Sequence, residues 1–369
     1  MKVLFCVQNQ AGELPGGRYH ALMLALAIAE IGHKVTFATN TKPMWFDDVA
    51  QYFDLSNFKI LIDRQFGYSN GEFKKYDLFI GAPTLGGCYA TGFGQQLKRP
   101  AIAMVFESPL WWTRVSGSRA SGWRGWDDYE KALTQRGCYI LDTTKEGSKF
   151  TQEWLKGKVE SNKFLQLYAP INNRAIAKVN KSQLVKKNQI VFISRLVDYK
   201  NWILPLEVAA SHPSKPKAVF ISGYALPEDK DKITKTAKKM GVESEFLPRL
   251  SELDKFKVIS ESKLLVHGSL FEGLGLPPIE AAYCLVPCVI YDLPVYREVH
   301  TYGQNGETFV TIAKRKDKDD FIKKCGEILD GKQPQLHRNE LNKILVHYKR
   351  FASIEGFEEN VETILEQVA

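Results

Sequence analysis

Leu265–Val299 reads LVHGSLFEGLGLPPIEAAYCLVPCVIYDLPVYREV. The apolar run Leu264–His267 at its head predicts a buried parallel strand. It leads into a glycine-rich turn, Glu272-Gly273-Leu274-Gly275-Leu276, then Pro277, Pro278 and a helical Ile279-Glu280-Ala281-Ala282. Proline is harmless in a helix's first turn, where its missing N–H would have no intrahelical partner. Pro277 is therefore expected as the first helical residue, with Glu280 inside that first turn. The free N–H groups and positive dipole end of such a helix favour an anion, and Gly273 and Gly275 let the backbone approach one closely. A phosphate fits.

Glu272 and Glu280 bracket this phosphate site with seven residues between them. Like charges repel, so each carboxylate is expected to serve a neutral, hydroxyl-bearing neighbour of the phosphate. A nucleotide sugar supplies both neighbours, ribose hydroxyls for one carboxylate and sugar hydroxyls for the other. The plainer reading is a helix whose acidic first turn complements its dipole.

The strings FEGLGLPPIEAA and CLVPCVIYDLPVYREV resemble the donor-site signature of the family 4 retaining glycosyltransferases. The resemblance implies the α/β fold called GT-B, with two facing Rossmann-like domains. It also implies that Glu280 holds the ribose, that Glu272 holds the donor sugar, and that Gly275 and Leu276 offer backbone amides to the phosphate and sugar.

A chain of 369 residues is too long for one ordinary domain and suits two of about 150 to 200 each. Its apolar content of 44% supports substantial cores. No apolar run reaches about 18 residues, and the opening MKVLFCVQNQ is too short for a signal-peptide core, so a cytoplasmic enzyme is expected, with any membrane contact peripheral and at the inner face. The cysteines at 6, 88, 138, 284, 288 and 325 lack the companions of a zinc or redox motif and read as small core residues. A net charge of +8 and a pI near 9.0 suit anionic partners such as nucleotide diphosphates, acidic glycans, lipid head groups or nucleic acid. Much of that excess lies in polar runs, Lys230–Lys239 and Lys314–Lys318, that read as solvated faces.

The first half opens with a strand at Lys2–Gln8, a loop Asn9–Gly17 (NQAGELPGG), a helix Tyr19–Ile31 and a strand Lys34–Thr39, a unit of Rossmann type. Gly16 and Gly17 stand just before the helix; a tight turn explains them as well as a ligand does. By resemblance they approach the donor phosphates. Further strands are expected at Lys59–Ile62, Tyr76–Ile80, Ala101–Phe106, Tyr139–Leu141 and Leu165–Ala169, with a capped helix over Thr143–Leu155. Glu107, after a strand end, occupies a place where much of the family carries a histidine on the donor sugar; here a carboxylate either supplies that contact or the role is lost. The loop Trp111–Trp126 (WWTRVSGSRASGWRGW) is long and aromatic for a connection. Trp111 and Trp112 are its leading candidates for stacking on an acceptor glycan or lipid-linked acceptor, a structural loop being next and nucleic acid last.

The polar segment Arg174–Asn188 is the linker candidate, giving domains of 1–173 and 174–350 and a tail helix of 351–369. The second half begins with a strand Gln189–Ser194, followed by Arg195 beyond its end and Lys200 at the start of the next helix, placed to converge on a diphosphate. SRLVDYKNW is similar to the family's Arg and Lys pair for that group. A strand Ala218–Ser222 ends at Gly223 and Tyr224, where a flat nucleotide fits. Ser244–Leu250, with Leu247 at its centre, resembles the family's segment beside the nucleobase, and a helix Leu253–Ser260 follows. Further strands are expected at Val286–Tyr291 and Thr308–Ile312. The amphipathic tail Ser353–Val368 crosses back onto the first domain by resemblance; its own pattern equally suits a helix packed on its own domain.

The expected function is a retaining hexosyltransferase that takes a UDP- or GDP-sugar to a glycan or lipid-linked acceptor in surface polysaccharide or glycolipid synthesis, without a metal or cofactor. The Asp-x-Asp matches at Asp229–Asp231 and Asp317–Asp319 lie in lysine-rich stretches read as solvated, and Asp127-Asp128 is an adjacent pair of unassigned position. The alternatives are a sugar-nucleotide epimerase of the same fold and a non-enzymatic RNA- or membrane-binding protein built on the Trp/Arg loop.

Overall fold

The computed structural model describes residues 1–9, 16–117, 125–179, 184–223, 226–302, 306–332 and 338–368, leaving out the side chains of 116 and 338–341. The chain forms two compact units, Met1–Pro170 with Ile354–Ala369, and Ile171–Ser353.

The first unit is built on β1 (Lys2–Val7), β2 (Lys34–Thr39), β3 (Phe58–Ile62), β4 (Leu78–Ala82), β5 (Ala101–Val105), β6 (Cys138–Asp142) and β7 (Phe164–Gln166). Among the described residues these form one sheet of order β3-β2-β1-β4-β5-β6-β7, every pair parallel. The continuous apolar character of β1, β4 and β5 follows from burial on both faces. The helix Gly16–Glu30 is buried around its whole girth from Tyr19 to Ala29, because the C-terminal helix Ile354–Val368 covers the side turned from the sheet. That tail buries Ile354, Phe357, Val361, Ile364, Leu365 and Val368, a stripe at helical spacing. Its Phe357 ring lies 5.9 Å from the ring of His20.

Glycine sets how closely the helix Thr84–Leu97 approaches this sheet. A Cβ on Gly86 would sit 2.1 Å from the Cys6 carbonyl oxygen, and one on Gly81 2.2 Å from the carbonyl oxygen of Gly86.

The second unit contains β8 (Gln189–Ile193), β9 (Lys217–Ser222), β10 (Ser244–Pro248), β11 (Leu264–His267), β12 (Cys288–Tyr291), a short hairpin of β13 (Thr301–Tyr302) and β14 (Glu307–Thr308), and β15 (Thr311–Ala313). Its main sheet has the order β10-β9-β8-β11-β12-β15, again parallel throughout. The single last strand expected at Thr308–Ile312 is divided between β14 and β15, because the Thr308 hydroxyl donates to the Val310 carbonyl and turns the chain between them. The linker expected over Arg174–Asn188 is largely part of this unit: Asn173–Ala177 is a helix capped by Asn172, and Ala175, Ile176 and Val179 are buried. Residues 180–183 of that segment lie outside the described residues.

In both sheets the strand order reverses beside the first strand, between β1 and β4 and between β8 and β11. Loops leaving two neighbouring strands in opposite directions open a crevice beyond their carboxyl ends, where open α/β sheets take ligands.

Gly86→Ala drives a methyl group into backbone that cannot yield and should destabilise the protein by about 1–3 kcal/mol or more. Gly92→Ala, in the same helix but with nothing within 4 Å of its Cβ, should stabilise it by roughly 0.5–1 kcal/mol. Urea unfolding of both variants checks the pair; an unchanged midpoint for Gly86→Ala would contradict the close approach.

Candidate active site

The loops that leave β8 and β11 meet at the reversal point of the second sheet. Glu272, five residues beyond the end of β11, has a side chain 9% exposed. Its Oε1 accepts from Lys200 Nζ at 2.5 Å and from His267 Nε2 at 3.0 Å. A carboxylate only accepts, so Nε2 carries the imidazole proton, and burial lowers the His267 pKa and keeps the ring neutral. Burial pushes the Glu272 carboxyl up, but the Lys200 charge and the His267 hydrogen bond outweigh it and hold the group well below the usual carboxylate range.

The same cluster reaches Arg195. Its Nη2 donates to the Tyr199 hydroxyl at 2.9 Å, and the Tyr199 ring stacks on Phe271 with centroids 4.2 Å apart. The Leu270 N–H donates to the Tyr199 carbonyl at 2.9 Å, so the β8 loop and the β11 loop are fastened by backbone as well as by charge. Arg195, Lys200 and Glu272, separated by up to 77 positions, are thereby assembled at one strand edge.

Gly275 caps the helix Leu276–Tyr283 in the left-handed region, φ +83°. A Cβ there would also sit 2.7 Å from the Tyr296 ring, so glycine is required twice over. The helix starts at Leu276 with Pro277 second, which corrects the expected start. Glu280 is then its fifth residue, past the first turn, and the first turn contains no acidic residue. The helix dipole therefore does not account for Glu280. It is 5% exposed and its Oε1 accepts from Lys255 Nζ at 2.8 Å, while Lys255 also donates to Glu252 Oε1 at 2.7 Å. Burial and the nearby Glu252 raise the Glu280 pKa against the opposing pull of Lys255. Burial alone would lower the Lys255 ammonium; the two carboxylates reverse that and raise it.

Lys255 and His267 are the residues that sequence reasoning missed. Lys255 stands in a helix read only as a connecting element, and His267 ends a strand read only as apolar core. A polar side chain closing an apolar run beside a glycine loop was the available signal for His267. Nothing in the sequence pairs Lys255 with Glu280, 25 positions away.

Residues 175–346, almost the whole second unit, match the model of the family described as glycosyl transferases group 1. The O-antigen chain mannosyltransferase RfbU of Salmonella typhimurium is 33% identical over 105 residues, 28% of this chain and 26% of that protein. The serotype-specific mannosyltransferase WbdA of Escherichia coli is 36% identical over 72 residues, 19% of this chain and 9% of that protein. The aligned segments thus span about a quarter or less of these relatives. The crystal structure of Anabaena Alr3699/HepE in complex with UDP-glucose superposes with a TM-score of 0.75 at 14% identity, covering 99% of both chains. The chain has the GT-B fold, and its second unit matches the glycosyl transferases group 1 family.

The other expected site residues lie as follows. Gly223 follows β9, and Tyr224 is outside the described residues. Leu247 lies in the edge strand β10, in register with Ile221. Gly273 and Leu276 flank the Gly275 turn, both half-buried. In the first unit Gly16 opens the helix Gly16–Glu30 and is exposed. A Cβ on Gly17 would sit 2.5 Å from the Phe106 ring, so packing accounts for that glycine; residues 10–15 of its loop lie outside the described residues. Glu107 is half-buried in the loop after β5, next to Ser108, whose hydroxyl caps the short helix Pro109–Trp111.

Trp111 requires a correction. It is 5% exposed and packs edge-on against Trp112, with centroids 5.4 Å apart, so its ring fills the first unit and presents no face to an acceptor. Trp112 is half-buried. Arg114 of the same loop pairs bidentately with Glu153 at 2.6 and 2.8 Å, and residues 118–124 lie outside the described residues. One aspartate of each Asp-x-Asp match supports a helix start. Asp229, read as solvated, is 5% exposed and accepts from the Leu226 N–H, and Asp317 caps the helix Lys318–Leu329. Asp127 and Asp128 lie in the first turn of the helix Gly125–Leu133. Among the described residues no helix is long and apolar enough to cross a membrane.

Two outcomes follow from the buried carboxylates. Because the folded pKa of Glu272 is depressed, its stabilisation is present above the unfolded value of about 4.3 and is lost as pH falls through the folded value. Glu272→Gln should therefore make the acid-side loss of stability between about pH 5 and 2 shallower, as read by urea unfolding across pH. Lys255→Met strands Glu280 in the core without a counter-charge and should destabilise by about 3–5 kcal/mol. Adding Glu280→Gln should restore part of that loss, and strictly additive effects in a double-mutant cycle would refute the pairing.

Proposed function

We propose that the chain is a retaining glycosyltransferase, moving a hexose from a UDP- or GDP-sugar to a glycan or lipid-linked acceptor in surface polysaccharide or glycolipid synthesis. The observation that carries this reading is the Lys200–Glu272–His267 cluster at the β8/β11 reversal, beside the Gly275-capped helix. The mannosyltransferases of O-antigen and serotype synthesis support the polysaccharide context, and the UDP-glucose complex of HepE supports a nucleotide-sugar donor.

On this reading the diphosphate lies against the N-terminus of the helix Leu276–Tyr283, with Arg195 and Lys200 offsetting its charge. An ammonium has three protons, so Lys200 can keep Glu272 and still donate to a phosphate oxygen. Both partners of Glu272 bind Oε1, leaving Oε2 for a sugar hydroxyl; Lys255 likewise takes one oxygen of Glu280 and leaves the other for the ribose. In transfer, the bond from the anomeric carbon to the phosphate oxygen breaks and a bond to the acceptor oxygen forms on the same face. The acceptor's proton passes to the departing phosphate. Arg195, Lys200 and the helix dipole stabilise the charge growing on the leaving group, so no divalent metal is required.

The test combines donor binding with product analysis. Titration calorimetry with UDP, GDP and their sugars should identify a donor whose affinity falls by about 1–3 kcal/mol in Glu280→Ala. Glu272→Ala should lower kcat more than donor affinity, since the positive charge it serves develops in the transition state. Transfer should persist in excess chelator with the anomeric configuration retained, as read by proton coupling. An inverted product, or chelator inhibition reversed by magnesium, would overturn the mechanism. Interconversion of nucleotide sugars without any acceptor would favour an epimerase.

A further inference from the structure

The first unit has a crevice of its own at the β1/β4 reversal, a cavity of about 520 Å³. That volume is within the roughly 300–1,000 Å³ usual for small-molecule sites. Its walls come from the segments after four strands: Gln8 and Asn9 after β1, Asn40 and Thr41 after β2, Arg64 and Phe66 after β3, and Leu85 at the start of the helix after β4.

Part of this lining is rigid. The Asn9 N–H donates to Asn40 Oδ1 at 2.7 Å, Asn40 Nδ2 returns a bond to the Asn9 carbonyl at 2.8 Å, and Asn9 Nδ2 donates to the buried Thr39 hydroxyl at 2.7 Å. Arg64 rides on a turn built around Asp63, whose carboxylate accepts from the N–H groups of Gln65 and Gly67 at 2.9 and 2.6 Å. Phe66 anchors that turn from a left-handed backbone, φ +52°, with its ring fully buried edge-on to Tyr89.

Among the described residues, the Arg64 guanidinium makes no hydrogen bond or ion pair, and neither the Gln8 carboxamide nor the Thr41 hydroxyl bonds to another group. Beside them the Leu85 side chain, 44% exposed, supplies an apolar wall. A cation on a braced turn, an amide, a hydroxyl and an apolar surface are together the complement of a sugar that carries an acidic group.

We infer that this cavity binds the acceptor sugar, and that the acceptor carries a carboxylate or a phosphate gripped by Arg64. The inference rests on the glycosyltransferase reading above for the word acceptor, and moves acceptor recognition from the Trp111 loop to this crevice. Arg64 forks onto two oxygens of the acid, and Gln8 and Thr41 meet the ring hydroxyls.

Titrations of the full chain with glucose, glucuronate, glucose 6-phosphate and inorganic phosphate, followed by ligand-observed NMR at fixed ionic strength, test this. Glucuronate or glucose 6-phosphate should bind at least tenfold more tightly than glucose, and which of the two leads identifies the acid as carboxylate or phosphate. Arg64→Ala should abolish the preference while leaving UDP binding unchanged, Arg64→Lys should keep part of it, and Thr41→Val should weaken the sugar acids but not inorganic phosphate. Equal binding of glucose, a preference that survives Arg64→Ala, or inorganic phosphate binding as tightly as the sugar phosphate would each overturn the inference. Failure of UDP to bind while the Arg64-dependent preference holds would instead overturn the donor reading and leave the sugar-acid site standing.

Discussion

A carboxylate removed from water must find a counter-charge, and the second unit is organised around two such carboxylates. Glu272 and Glu280 lie on either side of one glycine turn, and each is held by a lysine from a different element, Lys200 from the β8 loop and Lys255 from the helix Glu252–Glu261. Removing either partner would leave a buried charge uncompensated, far more unfavourable than losing a surface ion pair. The arrangement ties three separate stretches of chain to the β11 strand end. It also leaves one oxygen of each carboxylate uncommitted to its lysine, which is what a site needs to accept hydroxyl groups.

Backbone constraints make the carboxylate geometry possible. Gly275 has the left-handed turn that only glycine adopts without strain, with the Tyr296 ring against its missing side chain. Gly81 and Gly86 play the corresponding part in the first unit, where helix and strand backbones approach too closely for any Cβ. In each unit glycine is thus placed where the chain must pass close to the carboxyl end of the sheet. Those are the ends at which the strand order reverses and a crevice opens.

The two crevices differ in how their charges are disposed. In the second unit the cations Lys200 and Lys255 are already paired with buried carboxylates, so an incoming ligand joins an existing network. In the first unit Arg64 stands on a stiff turn and has no partner among the described residues. A network of the first kind discriminates among polar hydroxylated ligands through geometry, and an unpaired cation through charge.

Much of this molecule was legible in its sequence. The parallel strands, the alternating helices and the Glu272–Gly275 turn announce themselves because local periodicity and glycine or proline punctuation act over a few residues. The fold class, the strand-end positions of Arg195 and Lys200, and the placing of Glu272 and Glu280 about one glycine turn could be argued from spacing and resemblance. Tertiary structure decided which groups face each other. Only packing shows Lys255 beneath Glu280, His267 against Glu272, Trp111 turned into the core, and Arg64 at a crevice with no partner among the described residues. Pairings of that kind join residues tens of positions apart, and burial, which decides whether a charged or aromatic side chain supports the fold or meets a ligand, is a property of the folded sheet and not of the neighbouring sequence.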